Sequence, residues 1–193
     1  QSKEERMKSI EEELIEAAKD NNVPEVCRLL SVLGAPGIEA KDQFGRTPLH
    51  WSCDNGHVQV VKELLEHGAD IEAKDNGHWT PLHWACLMEH LAVVNELLSP
   101  NDSDGATTSI LGKRTSRGRA AVNTKDREGD TPLHDASWNG NVAVVKALLS
   151  GGVDCRVTNY EGRLPIHLVV EWPSIYFNIS TQHSAVVSLF TNS

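Results

Sequence analysis

The stretch Thr47-Pro-Leu-His-Trp-Ser-Cys53 returns 33 residues later as Thr80-Pro-Leu-His-Trp-Ala-Cys86. A third version, Thr131-Pro-Leu-His-Asp-Ala-Ser137, and a fourth, Leu164-Pro-Ile-His-Leu-Val-Val170, again stand 33 apart. The step from Thr80 to Thr131 is 51, one period plus an insertion of 18 residues. Self-similarity at a fixed period of this size marks an array whose units bury their apolar faces only against one another.

Each copy reads as the start of a helix. Pro48, Pro81, Pro132 and Pro165 suit the first helical position, where a missing N–H costs nothing, and Thr47, Thr80 and Thr131 can cap it. Downstream of each comes a second apolar pattern. In the first of these, Val60, Val61, Leu64 and Leu65 form a helical stripe, and Gly68 supplies the left-handed residue that ends it. Upstream, "LIEAAKDNNVPEVCRLL" fits the same template without the TPLH motif. The charged segment before it, "SKEERMKSIEEEL", is predicted to run as a helix and cap the array. At the other end Pro173 should interrupt a helix, and "AVVSLF" arrives late, as in a C-terminal cap with a long inter-helix loop.

The T-P-L-H-x-A signature, its period and the "GADIEAKD" tail resemble the ankyrin repeat from about Ile10 to the C-terminus. The resemblance implies an all-α solenoid of about five helix-turn-helix repeats with short β-hairpin-like fingers and capping terminal repeats. Residues 1–193 then form one domain, with repeats at about 9–41, 42–74, 75–125, 126–158 and 159–193. The third carries the inserted loop, at about 100–119. By the same resemblance His50, His83, His134 and His167 are structural, their rings bonded to the backbone of neighbouring loops. Two departures stand out: His78 and Glu89 occupy positions where glycine is usual, and both are expected to strain or reshape the third unit.

Composition narrows the function. A formal charge of −9 disfavours nucleic acid and anionic membrane, so neither is expected as a partner. No apolar run approaches a membrane span, and the N-terminal stretch is not a signal peptide, which points to the cytoplasm or nucleus. The four cysteines form no CxxC pair and read as free thiols. Histidines stacked one per repeat form a ladder instead of converging, so no metal is expected. No nucleophile, base and orienting group occur together, and no phosphate loop is present. The expectation is a non-enzyme with no cofactor and no catalytic residue.

What the repeat does not dictate is where binding should lie. In ankyrin proteins the turn tips and the exposed ends of the first helices line a concave face. Here they supply Phe44, Arg46, Asp54, Trp79, Leu87, Met88, Glu128, Asp130, Trp138, Tyr160 and Trp172. Three of the five tryptophans fall in this set, within an acidic rim. That is the makeup of a hot spot for a protein or peptide partner carrying basic residues beside apolar anchors. Trp51 and Trp84, at an equivalent position, should stack between repeats. The inserted loop offers Lys113, Arg114, Ser116, Arg117 and Arg119 as a regulatory element, phosphorylated or read by an import receptor.

The leading expectation is therefore a monomeric interaction module or adaptor. The second is a targeting or autoinhibitory region of a larger protein, such as an acyl-CoA-binding protein, channel, kinase or ligase component; an opening Gln1 is compatible with a fragment. A third is a methyl-lysine reader. Trp79 and Trp84 match two members of the aromatic cage of ankyrin domains with that activity, whereas Leu87 replaces the cage's acid and Asp135 another of its tryptophans.

Overall fold

A computed structural model describes residues 3–99, 120–170 and 180–191. The inserted loop with Lys113, Arg114, Ser116, Arg117 and Arg119, and the segment holding Trp172 and Pro173, lie outside the described residues.

Among the described residues ten helices alternate in two stacked rows. The first row holds α1 (Lys3–Lys19), α3 (Pro48–Asp54), α5 (Pro81–Leu87), α7 (Pro132–Asn139) and α9 (Pro165–Val170). The second holds α2 (Val23–Gly37), α4 (Val58–Glu66), α6 (Leu91–Leu98), α8 (Val142–Ser150) and α10 (Ser180–Thr191). Each helix packs on its hairpin partner and on the next helix of its row. The core follows the period: Leu14, Leu29, Leu49, Leu64, Leu82, Leu97, Leu133 and Leu148, one from each of α1 to α8, are wholly buried. Each such side chain contributes roughly 1.5–3 kcal/mol of burial, and none of it is available to a lone hairpin. The charged N-terminal segment is helical as anticipated and lies against α2 and α3.

Thr47, Thr80 and Thr131 cap α3, α5 and α7 in a capping box whose third member is histidine instead of glutamate. In each box the histidine Nδ1 accepts the threonine N–H at 3.1 Å. Its Nε2 then carries the proton and donates to a carbonyl of the following unit. His50 reaches Trp79 at 3.0 Å, His83 reaches Asp130 at 3.3 Å, and His134 reaches Arg163 at 3.1 Å. One ring thus closes a cap and rivets two units together. Asn141 caps α8 by accepting from the amides of Ala143 and Val144. His57 and His90, at the N-caps of α4 and α6, bond backward to the carbonyls of Lys19 and Asp54.

The fingers between units are turns, with no strand among the described residues. Each opens on an acid or amide whose Oδ1 accepts two backbone N–H groups: Asp42 from Phe44 and Arg46, Asp75 from Gly77 and Trp79, Asp126 from Glu128 and Asp130, Asn159 from Glu161 and Arg163. Successive fingers are joined by single backbone bonds, such as Asn76 N–H to Phe44 and Tyr160 N–H to Glu128. His78 and Glu89 adopt φ of 64° and 61°, the left-handed values of Gly45 and Gly56 one unit earlier. The third unit is therefore strained at two residues and not reshaped: the Asp75 turn repeats the Asp42 turn bond for bond.

Candidate recognition surface

The fingers and the exposed ends of the first-row helices build one continuous face. Its N-terminal half is a stack of cations and indoles. The Arg46 guanidinium lies 4.5 Å from the Trp51 ring centroid and 4.1 Å from that of Trp84, with the Phe44 ring at 5.5 Å. Lys19 sits on the Trp51 ring at 4.4 Å. Trp51 and Trp84 were expected to stack between repeats; they are half-buried, and an arginine stacks between them. Their indole N–H groups are fixed by Asp42 and Asp75, each at 3.0 Å. Arg46 also approaches Asp54 at 3.6 Å. Partial burial raises the Asp54 carboxyl above its ordinary range, while Arg46 and His90 pull it back. Trp79 tilts against Trp84 with centroids 5.0 Å apart. Phe44 projects from its finger, 52% exposed.

The C-terminal half is a groove of about 520 Å³. Leu87, Trp138, Tyr160 and Leu168 supply its apolar walls, Glu128, Asp130 and Glu161 its acidic rim. Trp138 is 41% exposed and Tyr160 71%. Asn139 ties the groove to α5 by donating to the Leu87 carbonyl. Arg163 pairs with Glu161, and Lys125 lies 5.4 Å from the Tyr160 ring. Asp130 accepts from Asn159 at 2.8 Å. Behind this rim the His134 ring is held neutral, since burial lowers its affinity for a proton.

Of the residues singled out from sequence, Leu87, Glu128, Asp130, Trp138 and Tyr160 converge on the groove, and Phe44, Arg46, Asp54 and Trp79 on the stack. Met88 is exposed beside them without lining the groove. Trp172 falls outside the described residues. Sequence reasoning missed Asp135 among the groove residues, and missed that Trp51 and Trp84, half-buried as expected of partial core, also hold Arg46. The signal was a single position, fourth in α3, α5, α7 and α9, that reads Trp51, Trp84, Asp135, Leu168. Among the described residues no group of three histidine, cysteine or acidic side chains is placed to hold a metal ion. No described helix is long and apolar enough to cross a membrane. The Cys53 and Cys86 thiols are buried, which pushes both well above the ordinary thiol range.

Stacked helix hairpins and histidine-closed caps define a helical repeat solenoid. Family models for ankyrin repeats match residues 14–109 and 116–169, and the chain belongs to the ankyrin-repeat family. Ankyrin repeats mediate protein–protein interaction. The chain is similar to acyl-CoA-binding domain-containing protein 6 of Xenopus tropicalis, 37% identical over 67 residues, which are 35% of this chain and 23% of that protein. It is similar to oxysterol-binding protein-related protein 1 of Rattus norvegicus, 40% identical over 65 residues, 34% of this chain and 7% of that one. The SMC5-SMC6 complex localization factor protein 1 of Bos taurus matches 76% of this chain at 32% identity, within 10% of its own length. The chain thus spans about a quarter or less of these curated relatives.

Proposed function

We propose that this chain is a non-enzymatic interaction module that grips a protein or peptide partner on its concave, tryptophan-bearing face, centred on the groove between α5, α7 and the Tyr160 finger. The observation that carries the reading is the exposure of Trp138 and Tyr160 side by side with Leu87 along a groove rimmed by acids. Large aromatic side chains left in water beside a cleft, with a polar rim, are the composition of a binding hot spot. The acidic rim favours a partner with basic residues. Affinity capture from lysate by the wild type, beside a Trp138→Ala/Tyr160→Ala variant with unchanged melting, tests it. A partner lost by the variant supports the face; equal capture by both refutes it.

A second reading, a targeting or autoinhibitory segment of a longer protein, is favoured by the small share of its relatives' length that the chain spans. The two are separated by the partner's location, in another protein or in the same polypeptide. The methyl-lysine reading of Trp79 and Trp84 is opposed by geometry, because the chain's own Arg46 already occupies the Trp84 ring. A cage must offer that ring to an incoming ammonium.

A further inference from the structure

The fourth residue of each first-row helix changes from Trp51 and Trp84 to Asp135. In α3 and α5 the indole donates to the acid that opens its own finger, Asp42 or Asp75. In α7 there is no indole, and the residue at its position, Asp135, instead brings a second carboxyl into the field of the finger acid Asp126. Asp135 lines the groove, beneath Leu87, Trp138 and Asn159. Asp135 is only 7% exposed, and its Oδ2 has no hydrogen-bond partner. A buried carboxyl left unpaired is costly, whereas an apolar side chain of similar size would be cheap there. An orphaned acceptor at the bottom of an open groove is what a binding site looks like before its ligand arrives.

Granted that the groove is the partner's seat, as proposed above, we infer that it receives an arginine of an extended partner segment, whose guanidinium donates to Asp135 and stacks against the Trp138–Tyr160 wall, with an apolar neighbour packed on Leu87. Charge favours a cation: Glu128, Asp130, Asp135 and Glu161 face Arg127 and Arg163, and Arg163 is already paired with Glu161. Shape favours arginine over lysine. A planar fork of five donors can serve Asp135 and Asp130 together while its face lies on an aromatic ring, and it sheds water more readily than an ammonium. The protein itself shows the arrangement earlier on the same face, where Arg46 lies between Trp51 and Trp84 beside Asp54. The groove repeats that setting of aromatic rings and acids, and Arg163, at the position Arg46 holds in the second unit, is engaged by Glu161 there.

Burial, reinforced by Asp126 and Asp130, raises the Asp135 carboxyl well above its ordinary range, so the empty groove favours its protonated form. The other groups near it are buried Cys86 on α5 and neutral His134 on its own helix, with Arg127, Glu128, Glu161 and Arg163 along the groove. An arriving guanidinium favours the ionised form, so binding releases a proton and tightens as pH rises.

The test is to pan a phage-displayed library of random dodecapeptides against the whole chain. Dissociation constants of recovered peptides are then measured by calorimetry for the wild type, Asp135→Asn, Asp135→Trp and Trp138→Ala. Recovered sequences should carry an arginine beside an apolar residue. Replacing that arginine by lysine, or Asp135 by Asn, should weaken binding about tenfold or more. Asp135→Trp, restoring the residue found at 51 and 84, should fill the socket and abolish binding. Asp135→Asn keeps both the shape and the uncharged state favoured in the empty groove, so its thermal melt should show an intact fold, and its affinity should lose the pH dependence. Peptides weakened by Trp138→Ala but indifferent to Asp135→Asn, or with lysine or no basic residue in the consensus, overturn the arginine and leave the face standing. Peptides indifferent to Trp138→Ala as well, or no enrichment at all, overturn both.

Discussion

Acidification should loosen the array through the histidine ladder, and His83 gives the magnitude. Its ring is wholly buried between the Thr80 cap and the Asp130 carbonyl. Because Nδ1 must accept from Thr80, only the neutral ring with its proton on Nε2 fits; a second proton would set N–H against N–H. Burial lowers the ring's pKa to about 4, while backbone acceptors at Asp130 and Thr124 pull the other way. A histidine whose folded pKa lies below its unfolded value contributes fully above the unfolded value, and that contribution is lost as pH falls toward the folded one. With an unfolded value near 6.5, moving from about pH 7.5 to about pH 5 removes about 2 kcal/mol through His83 alone. His50 and His134 shift in the same direction for the same cause.

The carboxyls act with the opposite sign, since burial raises Asp54, Asp126 and Asp135 and their protonation on acidification favours the fold. The ladder must therefore be isolated by difference. Urea unfolding of the wild type and His83→Gln should be followed across this pH range. Glutamine at this position preserves a capping side chain and does not titrate, and the carboxyl contributions cancel. The wild type's advantage at neutral pH should shrink by about 2 kcal/mol by about pH 5. A native-state NMR titration should find the His83 ring still neutral, as the Nε2–H tautomer, near pH 6, and the His50 and His134 midpoints below that of a free imidazole. An advantage that does not change with pH, or a His83 ring that protonates at an ordinary midpoint, refutes the reasoning.

Other outcomes follow from single contacts. Glu89→Gly relieves a left-handed φ at a cost of roughly 1 kcal/mol, partly offset by losing the Asn141 bond to the Glu89 carboxylate, so a small rise in melting temperature is expected. Leu97→Ala, emptying a wholly buried position on α6, should cost about 2–5 kcal/mol by urea unfolding, and a loss well under 1 kcal/mol would show that the stack collapses into the gap. Gly56→Ala combines positive φ with a Cβ 2.6 Å from the His90 ring and should destabilise more than any exposed alanine substitution. Arg46→Ala should uncover the Trp51 and Trp84 rings, seen as greater acrylamide quenching of tryptophan fluorescence, with roughly 0.5–2 kcal/mol of stability lost with the cation–π contacts.

The fold was legible in the sequence because it is periodic. Proline at the first helical position, threonine before it and leucine at fixed offsets state the same local rule in every unit, and repetition removes the ambiguity that one copy would leave. The structural role of the histidines came from that likeness, and the rings do join cap to neighbouring carbonyl. The site was legible only in part. Phe44, Trp79, Trp138 and Tyr160 announced themselves as aromatics at positions the repeat leaves exposed. Arg46 was placed on the rim as a charged residue at a turn tip; that it lies against two indoles depends on contacts across the 33-residue period, which pattern alone does not supply. The left-handed φ of His78 and Glu89 was anticipated, whereas the unchanged turn around Asp75 was not, because the hydrogen bonds of the Asp75 carboxylate outweigh the strain at one residue.

A repeat protein makes its binding site by breaking its own rule, and the position of the break says what kind of site it is. A change that swaps one core side chain for another leaves the stack closed. Changing Trp to Asp removes a large flat ring with its N–H donor and adds a second acid within the field of Asp126. The position is left short of apolar surface, of a donor and of positive charge. In the second and third units the protein meets comparable needs with Trp51, Trp84 and Arg46. Around Asp135 nothing in the described chain supplies Oδ2 with a donor. The ligand that would make good all three at once is a flat, apolar-faced cation, which is why a carboxyl that weakens the free solenoid can sharpen its choice of partner.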